Sequence, residues 1–159
     1  MTLALTLAST SKSCRALLAS AGVEAEGVAP NVDEEAFRNT MRANKLPVRE
    51  QAMQLAELKA IRVSAKRSGL VIGGDQMLAL GDQAFDKPAD LEAAKNHLRQ
   101  LSGKSHTLET AIVVCEDGAP VWRHLARPKL TMRPLTEEFI ETYVSACGDA
   151  LLSTVGAYQ

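Results

Sequence analysis

Aromatic side chains are scarce, at 4% of the 159 residues, and the formal net charge is only -1. Neither the stacking platforms nor the basic stripe of a nucleic-acid binder is therefore present, and a polymer partner is disfavoured. Cysteine is equally sparse. Cys14, Cys115 and Cys147 are odd in number and far apart, with no Cys-x-x-Cys pair, and His97, His106 and His124 form no His-x-x-x-His pair. That usage fits reduced thiols and argues against both a disulfide framework and a structural zinc. Long apolar runs are missing too: the charge-free stretches Met1–Ser11 and Ala150–Gln159 fall short of the roughly 20 apolar residues a bilayer demands. Met1–Ala8 lacks the basic start and apolar core of a secretory signal, so a cytoplasmic protein is expected. Neither Gly-x-Gly-x-x-Gly nor Gly-x-x-x-x-Gly-Lys-Ser/Thr occurs, which leaves a dinucleotide fold or a P-loop unsupported.

What remains is the composition of one soluble domain over residues 1–159, 46% hydrophobic and 23% charged, long enough for a single core. Leu3–Ala8 reads as a strand, Ser9-Thr10-Ser11 as a polar turn, and Lys12–Ala21 as a helix with Ser11 at its N-cap and Gly22 just past its end. Glu24–Ala29 reads as a second strand stopped by Pro30, and Asn31–Lys45 as a loop with at most a helical turn. Pro47 opens a helix to about Ser68, with Ala52, Leu55, Ala56, Ala60 and Val63 at helical spacing. Leu70–Gly73 and Gln76–Leu80 read as strands around a Gly73-Gly74-Asp75 break, followed by a tight hairpin turn at Gly81-Asp82 and a close at Lys87-Pro88. Asp90 caps a helix to Leu101 that Gly103 ends. Thr107–Cys115 and Val121–Met132 read as a hairpin about Asp117-Gly118, Thr136 starts a helix to about Ala146, and Leu151–Tyr158 reads as the start of another strand. Helices mixed with hairpins predict an α/β (α+β) fold with a mixed twisted sheet flanked by helices.

Several positions invite chemistry. Ser9, Thr10 and Ser11 lie between a strand and a helix start, where hydroxyls, free N–H groups and the helix dipole suit an anion, and Lys12 and Arg15 add positive charge; simple capping is the alternative. Asp75 follows two glycines and an apolar run, an exposed posture for a carboxylate at a strand end, with a turn-forming Asp as the bland reading. Asp33-Glu34-Glu35 could hold magnesium if it met a phosphate, or lie solvated. Lys59, near the apolar face of its helix, and Lys87, before Pro88, could reach a phosphate or sit at the surface. His106 reads as a turn residue rather than a base.

Taken in order, these segments resemble the Maf family of nucleoside triphosphate pyrophosphatases. Leu7-Ala8-Ser9-Thr10-Ser11 with Arg15-Ala16-Leu17-Leu18 is similar to its phosphate loop, Val32-Asp33-Glu34 to its acidic motif, and Leu55–Ala60 to its helix lysine. Ile72-Gly73-Gly74-Asp75-Gln76 resembles its catalytic strand end. Lys87-Pro88, Leu101–His106, Thr110-Ala111, Tyr143-Val144 and Gly156-Ala157-Tyr158 complete the series. The resemblance implies a Maf / ITPase-like fold and hydrolysis of the α–β phosphate bond of a nucleoside triphosphate, modified or non-standard nucleotides included, with a divalent cation such as Mg2+. It implies that Asp75 activates water, that Glu34 and Asp75 hold the metal, and that Lys59, Lys87, Ser9, Ser11 and Arg15 bind the phosphates. It also implies a possible homodimer. Two departures stand out: Cys14 takes the place of the family's usual Arg, and family members continue past Gly-Ala-Tyr, so a C-terminally shortened chain is expected. Gln76 resembles the branch acting on 7-methyl-GTP. The competing expectation is a nucleotide-binding regulator linked to septum formation with little turnover, which Cys14 and the short C-terminus favour.

Overall fold

The computed structural model describes residues 4–158. Strand β1 is Leu5–Leu7, within the expected Leu3–Ala8 run, of which Leu3 lies outside the described residues. Helix α1, Lys12–Ser20, is capped by Ser11, whose hydroxyl accepts from the Cys14 N–H. Gly22 follows with φ 72°, the left-handed position expected just past a helix end. The second expected strand shrinks to β2, Glu26–Gly27.

The expected loop at Asn31–Lys45 is instead a ten-residue helix, α2, Glu34–Ala43. Asp33 starts it by accepting from the Ala36 N–H at 3.0 Å, and Glu34 and Glu35 sit in the first turn, where acidic side chains favour the helix dipole. Its polar sequence hid it, because Met41 is its one buried residue. Helix α3 runs Val48–Ser64, ending earlier than the expected Ser68. Every apolar residue that marked its period, Ala52, Leu55, Ala56, Ala60 and Val63, is buried.

No break occurs at Gly73-Gly74-Asp75: β3 is continuous over Leu70–Leu80. Neither glycine has a left-handed φ, so extended pairing continues through them. The hairpin at Gly81-Asp82 is as expected, joining β3 to β4, Gln83–Phe85, with Leu80 opposite Gln83. Asp90 caps α4, Leu91–Leu101, through the Ala93 N–H at 2.7 Å. The Asp117-Gly118 hairpin joins β5, Ser105–Glu116, to β6, Ala119–Ala126. The long return strand is interrupted near Pro128, which has no N–H to donate, and resumes as β7, Lys129–Thr131. Thr136 caps α5, Glu137–Cys147. The expected strand over Leu151–Tyr158 is replaced by two short 3-10 helices, Gly148–Ser153 and Val155–Ala157, because Gly148 and Gly156 turn the backbone to φ 55° and 83°.

The seven strands form a mixed sheet in the order β2-β1-β3-β5-β6, with β4 beside β3 and β7 beside β5. β1 pairs parallel with both β2 and β3, whereas the β3–β4, β5–β6 and β5–β7 pairs are antiparallel. The α/β class with a mixed sheet and flanking helices is therefore observed.

Two compact units divide the chain. The first comprises residues 1–76 and 110–126. Ala8, Val63 and Val71 form a buried cluster there, with Val28 against it. α3 presses so closely on β3 that a Cβ at Gly73 would run into the Ala56 carbonyl and lie 2.7 Å from Ala60 Cβ. Across the hairpin, Arg123 on β6 pairs with Glu57 on α3 at 2.7 Å. The second unit comprises residues 77–109 and 127–159. Its core includes a cluster around Leu78, Phe85 and Leu101 and another around Ala94, Leu98, Ile140, Val144 and Leu151. Arg99 and Lys95 on α4 reach Glu137 and Glu141 on α5 at 3.0 and 2.7 Å.

Candidate active site

The charged centre of the first unit grows from three elements. α3 buries one lysine on its packed face: the Lys59 side chain is only 10% exposed. β3 delivers Asp75, whose side chain is 5% exposed, and the Lys59 ammonium donates to Asp75 Oδ1 at 3.0 Å and to the Gly74 carbonyl at 3.4 Å. The first turn of α2 supplies Glu34, whose Oε1 lies 3.0 Å from Lys59 Nζ. Three residues singled out from the sequence, 41 positions apart at most, are thus in direct ionic contact.

A fourth member was not anticipated. Arg38, one helical turn beyond Glu34, donates through Nη2 to Glu34 Oε2 at 3.1 Å and to Asp75 Oδ1 at 3.4 Å. The Glu34–Arg38 spacing of four is a standard helical ion pair and would have revealed it, had α2 been recognised as a helix.

Burial raises the Asp75 carboxyl pKa from its ordinary value; Lys59 and then Arg38 pull the other way without cancelling it, and the Glu34 charge adds to the rise. Asp75 Oδ2 is buried and has no hydrogen-bond partner among the described residues. A buried carboxylate oxygen left bare is costly unless something outside the protein uses it. The hard oxygen donors of Glu34 and Asp75 suit magnesium, which is commonly held by one or two carboxylates together with substrate phosphates. Among the described residues no three His, Cys, Asp or Glu side chains converge as a metal cage, so phosphate oxygens would have to complete such a shell.

Ser9 and Ser11 belong to the same unit. Leu7 pairs with Ile72 in parallel register, so the chain leaves β1 toward Ser9 in the same direction in which β3 proceeds to Asp75. Their hydroxyls act locally: Ser9 Oγ accepts from the Ser11 N–H at 3.1 Å and Ser11 Oγ from the Cys14 N–H at 3.4 Å. The capping role is therefore real, and it leaves the hydroxyl hydrogens available to a ligand. Arg15 is exposed and its stem lies over β2, where a Cβ at Gly27 would come within 3.1 Å of Arg15 Cδ. Asp33, part of the acidic run, is an N-cap, and Glu35 is exposed. Gln76 points its amide at Thr110 Oγ1 at 2.8 Å.

The remaining candidates lie in the second unit. Lys87 is exposed between β4 and α4. His106, expected in a turn, is instead a buried residue of β5 whose Nε2 lies 2.6 Å from the Tyr158 hydroxyl. Its alternation with Thr107 places it on the packed side of the strand, and burial lowers its pKa. None of the five helices is long and apolar enough to cross a membrane, among the described residues.

The chain is 92% identical over all 159 residues to a protein of Hyphomonas neptunium named nucleoside triphosphate pyrophosphatase, covering 80% of that relative. A Rhodospirillum rubrum protein of the same name is 46% identical over 96% of the chain and 76% of its own length. A Brucella abortus 7-methyl-GTP pyrophosphatase is 45% identical over the whole chain and 80% of its own length. The model of the Maf-like protein family matches residues 4–159, and the chain belongs to that family.

Proposed function

We propose that this protein is a hydrolase that cleaves the α–β phosphate bond of a nucleoside triphosphate, releasing a nucleoside monophosphate and pyrophosphate. The observation that carries the reading is the buried Asp75 carboxylate, one oxygen held by Lys59 and Arg38 and the other without a partner among the described residues. Water adds to phosphorus, the bridging P–O bond breaks, and the proton from water passes to Asp75. The upward push on the Asp75 carboxyl makes it a better acceptor near neutral pH than an ordinary aspartate. Lys59 offsets negative charge gathering on the phosphates, the main requirement of phosphoryl chemistry. Ser9, Ser11 and Arg15 bind the phosphate tail at the N-terminus of α1. Glu34 and Asp75 would hold a divalent cation, Mg2+ by preference, which when bound neutralises phosphate oxygens. The proposal includes a cytoplasmic setting and, from the family resemblance, a homodimer; Gln76, together with the name of the Brucella abortus relative, favours modified bases such as 7-methylguanine.

Pyrophosphate release from a panel of standard and methylated nucleoside triphosphates with Mg2+ tests this. Asp75→Asn should lower kcat by about 10²–10⁴-fold, the usual worth of a positioned base, while nucleotide binding survives. Turnover within a few-fold of the unsubstituted protein would remove Asp75 from the reaction. Binding of nucleotide without turnover in the unsubstituted protein would make the chain a regulator instead.

A further inference from the structure

The four charges of the candidate site are arranged as a closed square. Glu34 and Asp75 each contact both Lys59 and Arg38, at 3.0 Å to the lysine and at 3.1 and 3.4 Å to the arginine. Two carboxylates and two cations sum to zero. A divalent cation added to that square would leave it with two uncompensated positive charges in a partly desolvated place, where Coulomb interactions are strong. Without nucleotide phosphates to balance that charge, the withdrawal of one resident cation is what lets the carboxylates serve a metal.

The two cations are not equally fixed. Lys59 rises from the packed face of α3, is 10% exposed, and has a third contact at the Gly74 carbonyl. Arg38 is 25% exposed, on the second turn of α2. It touches both carboxylates through Nη2 alone, and its Nε has no hydrogen-bond partner among the described residues. Arg127 shows what a committed guanidinium does in this protein: it grips Glu109 with Nε and Nη2 at 2.8 and 3.0 Å. A two-pronged fork of that kind is the strong form of the arginine–carboxylate bond, and Arg38 does not make it.

We propose that Arg38 is a displaceable counter-ion: it neutralises Glu34 and Asp75 in the ligand-free protein and swings off them when the divalent cation binds. The inference rests on reading Glu34 and Asp75 as the metal-binding carboxylates. Arg38 is a positioning residue in this account, since it acts through the two carboxylates. It keeps the like charges of Glu34 and Asp75 together before the metal arrives, at the expense of metal affinity. A purely structural arginine would have the opposite signature, because removing it would loosen the carboxylates and weaken metal binding.

The direction of the change in affinity therefore decides between them. Mn2+ binding to the nucleotide-free full chain, followed by the electron paramagnetic resonance signal of free Mn2+, should tighten about tenfold in Arg38→Gln, the effect of removing one nearby screened charge. Arg38→Lys should stay near the unsubstituted protein, and Asp75→Asn should lose the site. Equal or weaker binding in Arg38→Gln, with binding still lost in Asp75→Asn, overturns the role of Arg38 and leaves the carboxylates as metal ligands. Binding indifferent to Asp75→Asn overturns both. If Arg38→Gln fails to fold, the unsubstituted protein gives the answer: the Arg38 Nε–H resonance, assigned with Arg38→Lys, should move on Mg2+ addition, and a resonance unmoved at saturating Mg2+ overturns the proposal.

Discussion

Two adjacent glycines should behave in opposite ways. A methyl group at Gly73 would collide with the backbone of α3, at the Ala56 carbonyl, and would lie 2.7 Å from Ala60 Cβ and 2.8 Å from Ala60 N. At Gly74 the nearest atom is the Ala111 carbonyl oxygen at 3.7 Å, an ordinary contact. Neither residue has a left-handed φ, so alanine meets no conformational penalty and gains about 0.5–1 kcal/mol over glycine in a strand. Overpacking costs about 1–3 kcal/mol, and because the obstacle at Gly73 is backbone, the upper end applies. The net loss for Gly73→Ala is then about 2 kcal/mol, or roughly 4–8 °C in Tm for a chain of this length. Gly74→Ala should be neutral or slightly stabilising. Urea denaturation of the two variants should separate their midpoints by about 1 M, given an m-value of about 1–3 kcal/mol/M. Since Lys59 adjoins Ala60 on α3, Gly73→Ala should also lower kcat, by shifting the ammonium away from Asp75. Equal midpoints for the two variants, or a greater loss in Gly74→Ala, would refute the claim that β3 and α3 are in contact through Gly73.

Lys59→Met should cost about 3 kcal/mol at pH 8, because it leaves the buried Asp75 charge with less compensation. The loss should shrink as pH falls, because burial already raises the Asp75 pKa and protonation removes the uncompensated charge, and Lys59→Met combined with Asp75→Asn should be more stable than Lys59→Met alone; additive losses in urea titrations would contradict this. His106 is held below its ordinary pKa by burial, so its contribution to stability is intact above the unfolded value of about 6.5. That contribution declines as pH falls from there toward the lower folded value. His106→Gln should accordingly lose less stability than the unsubstituted protein between pH 7.5 and 5.5, and parallel declines in urea midpoint would exclude His106 as a source of the acid sensitivity.

Where the sequence spoke in apolar periodicity or capping chemistry, it was readable. The buried stripe of α3, the Asp90, Thr136 and Ser11 caps and the two hairpin turns all follow from local rules, and Lys59 could be placed on the buried side of its helix. α2 was missed because it buries a single residue, so its helical period was carried by ion pairing and capping rather than by hydrophobicity. Arg38 went with it. Its link to Glu34 is local, but its link to Asp75 joins positions 37 apart, which depends on how α2 meets β3. The last segment was misjudged for a different reason: two glycines at positive φ wind it into 3-10 turns, and β-forming composition cannot overrule that geometry.

Helix α1 buries no residue, and Leu17 on it is 70% exposed. At nine residues it is shorter than the roughly 12–15 needed for an isolated helix to persist in water. It relies on half-buried contacts such as those of Cys14 and Leu18, whereas α3 has nine buried side chains and opens only with the body of its unit. Ser9, Ser11 and Arg15 stand at the base of this lightly anchored helix. Any anion they bind must first wait for the turn to be formed, and its apparent affinity is scaled down by the fraction of time that it is. Binding and the winding of α1 are thus one equilibrium, and a ligand there would tighten the helix as much as the helix holds the ligand.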